Sequence, residues 1–434
     1  MKLLNSSTNQ KVELSDNEIT IYNCGPTVYN YVHIGNVRPL VIFDVLFRYL
    51  LAIGKRVLYI QNITDVDDKI INAAIQAKLP EEILTSRYIK AYLYICELLN
   101  IEHMTMPKVS DNIKDIQQYI ENLIKKDAAY VVDGDVYFDV GKIKNYGHVS
   151  HQNIDELLEG VRKENKANKK SPLDFVLWKK TDKGISWDSP WSKGRPGWHT
   201  ECCVLIDKYI GDHVTIHGGG VDLKFPHHEN ENAQNIATHG KDIANIWMHV
   251  GHINVNGSKM SKSLNNFILV NDIITPDNAN GLRWFFYQAK YQQPVNFSQE
   301  LFDSTTKEIN NLVKTLTIVK THLIANDQFK LNHKPLKKEF DDCLADDLNL
   351  PNAITVVLTQ MKDLNTFIRD KDFAKANECW STIANELDVL GIRYDQAPHE
   401  QNIDAIKKWK QSVDAKDYDQ SDKIRQELIK KGLL

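Results

Sequence analysis

Two rhythms of hydrophobic and polar positions run along this chain, and the change from one to the other divides it. Near the start, short β-branched and aromatic runs alternate with longer apolar-rich stretches at helical spacing. Ile19-Thr20-Ile21-Tyr22 reads as a strand that ends in the turn-forming Asn23-Cys24-Gly25-Pro26. Residues 37–53 read as a long helix closed by Gly54, the residue type that favours a helix C-terminal position. Arg56-Val57-Leu58-Tyr59-Ile60 is the next strand, and helices are expected over 67–78, 80–99 and 111–126. Strand, helix, strand with tight turns predicts an α/β fold with a doubly wound parallel sheet. Ligands of such sheets bind beyond the carboxyl ends of the strands, where Cys24 falls.

From 127 to 195 the character changes. Asp133-Gly134-Asp135 between Tyr130-Val131-Val132 and Val136-Tyr137-Phe138 predicts a hairpin, and the lysine- and asparagine-rich stretch Lys163 to Lys170 predicts a mobile loop. This block reads as an inserted connective segment. The sheet pattern resumes with a helix from Trp198 to Ile210 and the strand Val214-Thr215-Ile216. Beyond Asn296 the chain is amphipathic helix almost throughout, with Ile309, Leu312, Val313 and Leu316 at helical spacing, and a short charged module begins near Gln401. The expected division is 1–126 and 196–296 for the two halves of the α/β domain, 127–195 for the insertion, 297–400 for a helical bundle and 401–434 for a small C-terminal module.

The bulk numbers narrow the function classes. The 434 residues are 42% apolar and 25% charged with a formal charge of −4, ordinary for a soluble globular protein. No apolar run approaches the ~18 residues of a membrane span, and Met1-Lys2-Leu3-Leu4 before a polar stretch lacks a secretory core. Six cysteines in so long a chain do not make a disulfide scaffold, so a reducing cytoplasm is expected. The slightly acidic balance argues against an indiscriminate DNA coater but leaves room for a local basic face.

The most informative short stretch is Pro226-His227-His228-Glu229-Asn230-Glu231, directly downstream of Gly218-Gly219-Gly220. Proline suits the first position of a helix, and a helix starting there puts His227 and Glu231 on one face, four residues apart. That spacing suits two zinc ligands. The glycines are expected to let backbone approach whatever occupies the site. No CxxC pair exists, so a ribbon or finger-type zinc is not expected. Cys24, one of Cys202 and Cys203, His227 and Glu231 would instead gather ligands from separate elements, since adjacent helical residues point ~100° apart. Cys96, Cys343 and Cys379 read as core residues, and Glu229 and His228 are left to supporting or surface roles.

Two further motifs complete the pattern. His33-Ile34-Gly35-Asn36 follows the first strand, and Lys259-Met260-Ser261-Lys262-Ser263 follows a later one. In this order within one α/β chain they resemble the HIGH and KMSKS signatures of class I aminoacyl-tRNA synthetases. Asn62-Ile63-Thr64-Asp65-Val66-Asp67-Asp68-Lys69, Gly194-Arg195-Pro196-Gly197-Trp198-His199, His217-Gly218-Gly219-Gly220 and Phe225 to Glu231 are similar to the cysteinyl branch of that family. The likeness runs from Cys24 to about Leu350, including Asp346-Asp347-Leu348-Asn349, and resumes at Ser421-Asp422-Lys423-Ile424-Arg425.

The resemblance implies a Rossmann-like catalytic domain with the insertion, then a helical bundle and an anticodon-binding module. It implies one Zn2+ held by Cys24, Cys202, His227 and Glu231. It implies an amino-acid pocket lined by Thr27, Thr64, Trp198 and His217, with His33, Asn36, Lys259 and Lys262 handling ATP and Lys262 on the phosphates. L-cysteine, ATP with Mg2+ and tRNA(Cys) would be the substrates, with no DNA or membrane partner, and the chain would act as a monomer. Cysteine would become cysteinyl-adenylate, then pass to the tRNA terminal ribose; zinc would reject serine without an editing domain, because a soft thiolate binds it far better than a hydroxyl. Two departures stand out. Asn36 replaces the second histidine of HIGH and keeps a hydrogen-bond donor but no ionisable proton. The chain stops at Leu434, where the family usually carries a further tail, so anticodon reading is expected to be trimmed or rearranged. Lys407, Lys408, Trp409, Lys410, Lys423, Arg425, Lys430 and Lys431 are the basic and aromatic residues expected to meet the tRNA there.

Overall fold

The β-branched and aromatic runs at the start of the chain become buried parallel strands, as a computed structural model of residues 1–153, 169–260, 266–331, 335–394 and 400–434 makes visible. The chain forms two units. The first comprises Met1–Phe43, Ile53–Ile273 and Gln292–Val295, the second Asp44–Ala52, Ile274–Tyr291 and Asn296–Leu434.

In the first unit an antiparallel ribbon, β1 (Lys2–Asn5) and β2 (Gln10–Glu13), precedes β3 (Glu18–Asn23). Helix α1 (Ile34–Ala52) leads to β4 (Arg56–Gln61), followed by α2 (Asp68–Ala77), α3 (Glu81–Leu98) and α4 (Ile113–Lys125). The observed helix bounds lie within three residues of the expected ones. Asp67 starts α2 because its carboxylate accepts the Lys69 N–H, an otherwise orphaned donor. An antiparallel sheet follows, β5 (Ala129–Val132), β6 (Asp135–Phe138), β7 (Phe175–Lys180) and β8 (Gly194–Pro196), paired in that order. Its first turn is the expected hairpin, with positive φ at both Asp133 (53°) and Gly134 (95°), the signature of a two-residue turn that follows the strand twist. Most of the lysine-rich stretch from Lys163 lies outside the described residues.

The chain then returns through α5 (Trp198–Tyr209), β9 (Val214–Gly220), α6 (Glu229–His239) and β10 (Ala244–Val250). The central sheet has the order β10-β9-β3-β4, all parallel, with Ile21 opposite Tyr59 on one side and Ile216 on the other. Ile19, Ile21, Tyr22, Val214, Ile216 and Ile246 are buried, as strands covered on both faces require. The chain leaves β3 toward β4 on one side and later fills β9 and β10 on the other. The crevice beyond the carboxyl ends of β3 and β9 is therefore the switch point of the sheet, and it holds Cys24 and the glycine run. A short hairpin, β11 (Ile253–Val255) with β12 (Ser258–Lys259), ends this stretch.

The second unit is helical: α7 (Ala279–Phe286), α8 (Gln299–Ala325), α9 (Lys338–Ala345), α10 (Leu350–Arg369), α11 (Phe373–Val389), α12 (Glu400–Asp414) and α13 (Tyr418–Lys430). Ile309, Leu312, Leu316, Val319 and Leu323 form the buried stripe of α8, each contributing about 1.5–3 kcal/mol of burial. Trp380 of α11 is buried and donates its indole N–H to Leu316 O at 2.9 Å. The pair α12 and α13 closes a small core of Ile406, Leu428 and Leu433 with Ile324 and Ala325 of α8.

Candidate metal centre and nucleotide cleft

The metal-competent side chains come from one strand end and from the first halves of two helical segments. Cys24 follows β3, and its backbone N–H bonds Gly218 O of β9 at 3.1 Å. Gly25 comes next; a Cβ there would lie 1.6 Å from Asn62 O, so only glycine allows this approach. Cys202 lies in the first half of α5. His227 and Glu231 follow Phe225, which is extended (φ −139°, ψ 135°); helical geometry resumes at Pro226 and runs into α6. Proline thus opens the helical segment as its spacing suggested, because the residue before it is kept out of the α region.

The glycine run divides its work. A Cβ on Gly218 would sit 1.8 Å from Met248 O, so there the neighbouring strand β10 is what approaches, while Gly220 lines the cleft beside the cluster.

Among the described residues two groups could hold a metal ion, and both include Cys24 and Glu231: one adds Cys202 and His227, the other His217 and His228. In each, the ligand atoms lie within 4.8 Å of one another. In the first, Cys24 Sγ and Cys202 Sγ are 3.7 Å apart, Cys202 Sγ is 3.7 Å from His227 Nε2, and Cys24 Sγ is 3.7 Å from Glu231 Oε1. Two sulfurs bound tetrahedrally at Zn–S ~2.3 Å lie about 3.8 Å apart, so the thiol pair already has the edge length of such a site. His227 Nε2 and Glu231 Oε1 are 2.7 Å apart. The other face of His227 is fixed: Nδ1 lies 3.1 Å from His199 Nδ1, and the ring stacks on Trp198 with centroids 4.2 Å apart.

Glu231 divides its carboxylate. While Oε1 faces His227, Oε2 lies 2.6 Å from His217 Nε2, and His217 Nδ1 is 3.0 Å from Tyr22 O. His217 is fully buried behind Glu231. Behind Cys24, His228 Nε2 lies 3.4 Å from the thiol and its Nδ1 2.8 Å from His249 Nε2. His228 and Glu229 are therefore not surface residues. Both are buried, and Glu229 accepts N–H bonds from Gly147 and Ser150 and the Ser150 hydroxyl, at 2.7–2.8 Å. Their faces of the turn are covered by packing that the local sequence does not reveal.

The charges of the cluster are set by one another. Burial would raise the Glu231 carboxyl, but His227 and His217 overcome it and hold Glu231 well below the usual range. His227 is lifted to about 10 against its burial, chiefly by Glu231 and Cys202. Burial pushes the Cys24 thiol well up, with Cys202 and Glu231 adding to it. Cys202 is drawn down to about 7, since its hydrogen bond with Cys24 and the charge of His227 outweigh burial. Thiolate in so buried a place needs a cation beside it. Two sulfurs, an imidazole and a carboxylate are a donor set that suits zinc. All six cysteines are free, Cys96 buried and Cys343 and Cys379 only half-buried.

Beside the cluster opens a cleft whose walls include Cys24, Thr27, Tyr29, His33, Asn36, Lys69, Trp198 and Asp222. Thr64 is not on that wall. It is buried, bridged to Thr27 by backbone, accepts from Asn62 Nδ2 and donates to Glu201 Oε2, both at 3.0 Å. Asn62 also accepts the Gly25 N–H at 2.8 Å. Glu201 is fully buried, and burial raises its carboxyl well above the ordinary range. Sequence reasoning gave no role to Asn62 or Glu201; their only signal was the phrase that opens at Asn62 and, for Glu201, its place two residues beyond Trp198-His199.

His33 and Asn36 share one turn, in which Asn36 Oδ1 accepts the His33 N–H at 3.2 Å. The strand-like stretch after the second motif holds this turn: Ile34 N–H bonds Ile268 O and Val270 N–H bonds Val32 O, at 3.0 and 2.9 Å. The His33 ring meets Phe267 at 4.9 Å, and a Cβ on Gly35 would lie 3.1 Å from Met260 Cε. The two signatures thus adjoin. Lys259 ends β12, and Lys262 lies outside the described residues.

At the C-terminal pair of helices, Trp409 is half-buried against the small core, 5.7 Å from the His322 ring, rather than displayed for stacking. Lys407 pairs with Asp327 at 2.6 Å and Lys410 with Asp414 at 2.5 Å, whereas Lys408, Lys423, Arg425 and Lys430 are exposed.

Residues 10–307 match the family described as tRNA synthetases class I (C) catalytic domain, and 339–394 match the DALR domain. The chain is similar to the cysteine–tRNA ligase of Ureaplasma parvum serovar 3, 46% identical with all of both chains covered. It is also similar to those of Malacoplasma penetrans (46%, covering 99% of this chain and 98% of that one) and Anoxybacillus flavithermus (40%, covering 100% and 97%). Among solved structures, a Mycobacterium tuberculosis methionyl-tRNA synthetase in complex with methionyl-adenylate shares the fold. That likeness has a TM-score of 0.59 at 12% identity and covers 91% of each chain.

Proposed function

We infer what the cluster and the cleft do from one premise: the chain belongs to the class I cysteine–tRNA ligase family. It is a ligase that aminoacylates tRNA(Cys), and its family uses an amino acid, ATP and tRNA as substrates. Its Cys/His/Glu cluster could bind a metal. In our reading that metal is zinc, held by Cys24, Cys202, His227 and Glu231, and the observation that carries it is the convergence of these ligand atoms within 4.8 Å beside the cleft. Bound there, zinc would offer a soft acceptor to the substrate thiolate that a serine hydroxyl cannot match.

The protein groups then divide the work. Trp198, stacked on His227, forms the wall against which the small side chain packs. Thr27 presents the pocket edge, and Asn62 and Glu201 hold Thr64 beneath it. His217 acts through Glu231, orienting the ligand carboxylate, and does not touch the amino acid. His33 and the amide hydrogens of Asn36, whose oxygen is committed to its own turn, meet ATP from one side. Lys259 and Lys262 supply positive charge to the phosphates, with Mg2+ as their counter-ion. In this reading the chain acts as a monomer, and free thiols suit a reducing cytoplasm. Among the described residues no helix is long and apolar enough to cross a membrane.

Cys24→Ser and His227→Ala should lose bound metal and raise the KM for cysteine in ATP–pyrophosphate exchange while ATP affinity is kept. Metal-free variants that activate cysteine as the parent does would overturn the zinc reading.

A further inference from the structure

The cleft beside the metal cluster must also admit the single-stranded 3′ end of the tRNA, and one part of its rim is built like a platform for a base. Tyr31 lines the cleft. Its ring meets that of Tyr88 edge to face, with centroids 5.1 Å apart and planes at 88°. The Arg87 guanidinium lies over both, 5.7 Å from the Tyr31 centroid and 5.6 Å from that of Tyr88, and donates to the Tyr31 hydroxyl at 3.1 Å. Tyr88 is anchored from beneath by a small core that includes Val28, Ile70 and Leu84, so the platform is fixed at its base. Arg87 is exposed and both tyrosines are half-buried. From there α3 continues with exposed groups at helical spacing: Lys90 and Tyr94 follow Arg87 by three and seven residues, and Tyr94 is 50% exposed.

A planar cation fixed over two rings at the mouth of a reaction cleft matches the chemistry of a single-stranded RNA end. Unstacked bases lie on aromatic rings or on guanidinium planes, and lysines beside them meet the phosphates. Tying α3 to the loop at 29–31 would need only the two rings. An exposed guanidinium beside the entrance offers a stacking group and a charge opposite in sign to the incoming strand.

We propose that Arg87, Tyr88 and Tyr31 stack a nucleotide of the tRNA 3′ end as it enters the cleft, with Lys90 following its backbone. The platform thus serves transfer and not amino-acid activation. The proposal rests on the cleft being where cysteine is activated, which pyrophosphate exchange reports separately.

The test compares the intact enzyme with Arg87→Ala and Arg87→Lys. Arg87→Ala should leave cysteine-dependent exchange unchanged and lower kcat/KM for tRNA about tenfold, within the range of one lost stacking contact. Arg87→Lys should recover only part of that, because an ammonium has charge but no plane. With tRNA lacking its last three nucleotides, parent and Arg87→Ala should bind equally. Transfer at the parent level in Arg87→Ala overturns the proposal. So does a parallel loss of exchange, which would make the residue structural, or an equal loss of affinity for the truncated tRNA, which would assign Arg87 to duplex phosphates.

Discussion

Each unit of this protein buries a knot of charge, and the two knots are resolved in opposite ways. In the helical unit, Arg283 is buried and answered from several sides: Asp44 Oδ2 at 2.5 Å, and Leu390 O and the Tyr287 hydroxyl each at 3.0 Å. Asp44 in turn receives Arg48 at 2.9 Å. In the α/β unit, Cys24, Cys202, His227 and Glu231 crowd together with two thiols and a carboxylate against histidines that must share them. The first knot is complete within the chain. The second is held by histidines that lean on Glu231 and the thiols, and in the proposed reading a metal ion would take their place as its counter-charge, which separates a buried ion pair kept for architecture from one kept for a ligand.

Breaking the architectural knot should have the largest effect on stability. Arg283→Met leaves Asp44 buried beside Arg48 alone and should cost about 3–5 kcal/mol, read as a fall in the Tm of the intact chain. A change below about 1 kcal/mol would mean that the pair is no more than a surface-type contact, whose usual worth is of that size.

Glu386 sharpens the comparison within the helical unit. It is a buried carboxylate that accepts from Gln360 Nε2 at 2.6 Å and Lys337 N–H at 3.2 Å, and burial lifts it to about 7 despite those donors. The folded chain then holds a proton that the unfolded chain, with an ordinary glutamate, releases at lower pH. Its stabilisation is fully present below about pH 4.3 and is lost as pH rises through about 7, by about 3–4 kcal/mol in all. Glu386→Gln should flatten the change in Tm between pH 5 and pH 8 and be the more stable form at pH 8. An unchanged slope would exclude Glu386 as its source.

The smallest effect probes the metal side from behind. His217→Ala removes the partner of Glu231 Oε2 without touching the four proposed ligands, and should weaken zinc binding by roughly 10–100-fold in a chelator competition. Unchanged metal affinity with weakened cysteine binding would instead return His217 to the amino-acid pocket.

The sequence made part of this legible, for physical reasons. Helix starts and stops are local, so Gly54, Asp67 and the Asp133-Gly134 turn could be read directly. The spacing of His227 and Glu231 was equally local, because four residues make one helical turn. The burial of His228 and Glu229 was hidden, since it depends on His249 and on Gly147 and Ser150, far away in the chain. The double use of Glu231 was hidden too, because it needs His217 to end up beside Tyr22 through the pairing of β3 with β9. Trp409 misled for the opposite reason: its basic neighbours suggested an open face, while Ile406, Leu428 and Leu433 draw the ring inward.

Asn62 ties these levels together. One primary amide accepts from Gly25, donates to Thr64 and lies 3.8 Å from the Cys202 thiol. It directly follows β4, so a slip of that strand by one residue would turn it to the opposite face. The place of this amide beside Gly25, Thr64 and Cys202 is therefore indexed to the alignment of the sheet. In the proposed pocket, a sequence change that loosens the pairing of β3 with β4 would blur the choice of amino acid before it unfolded anything.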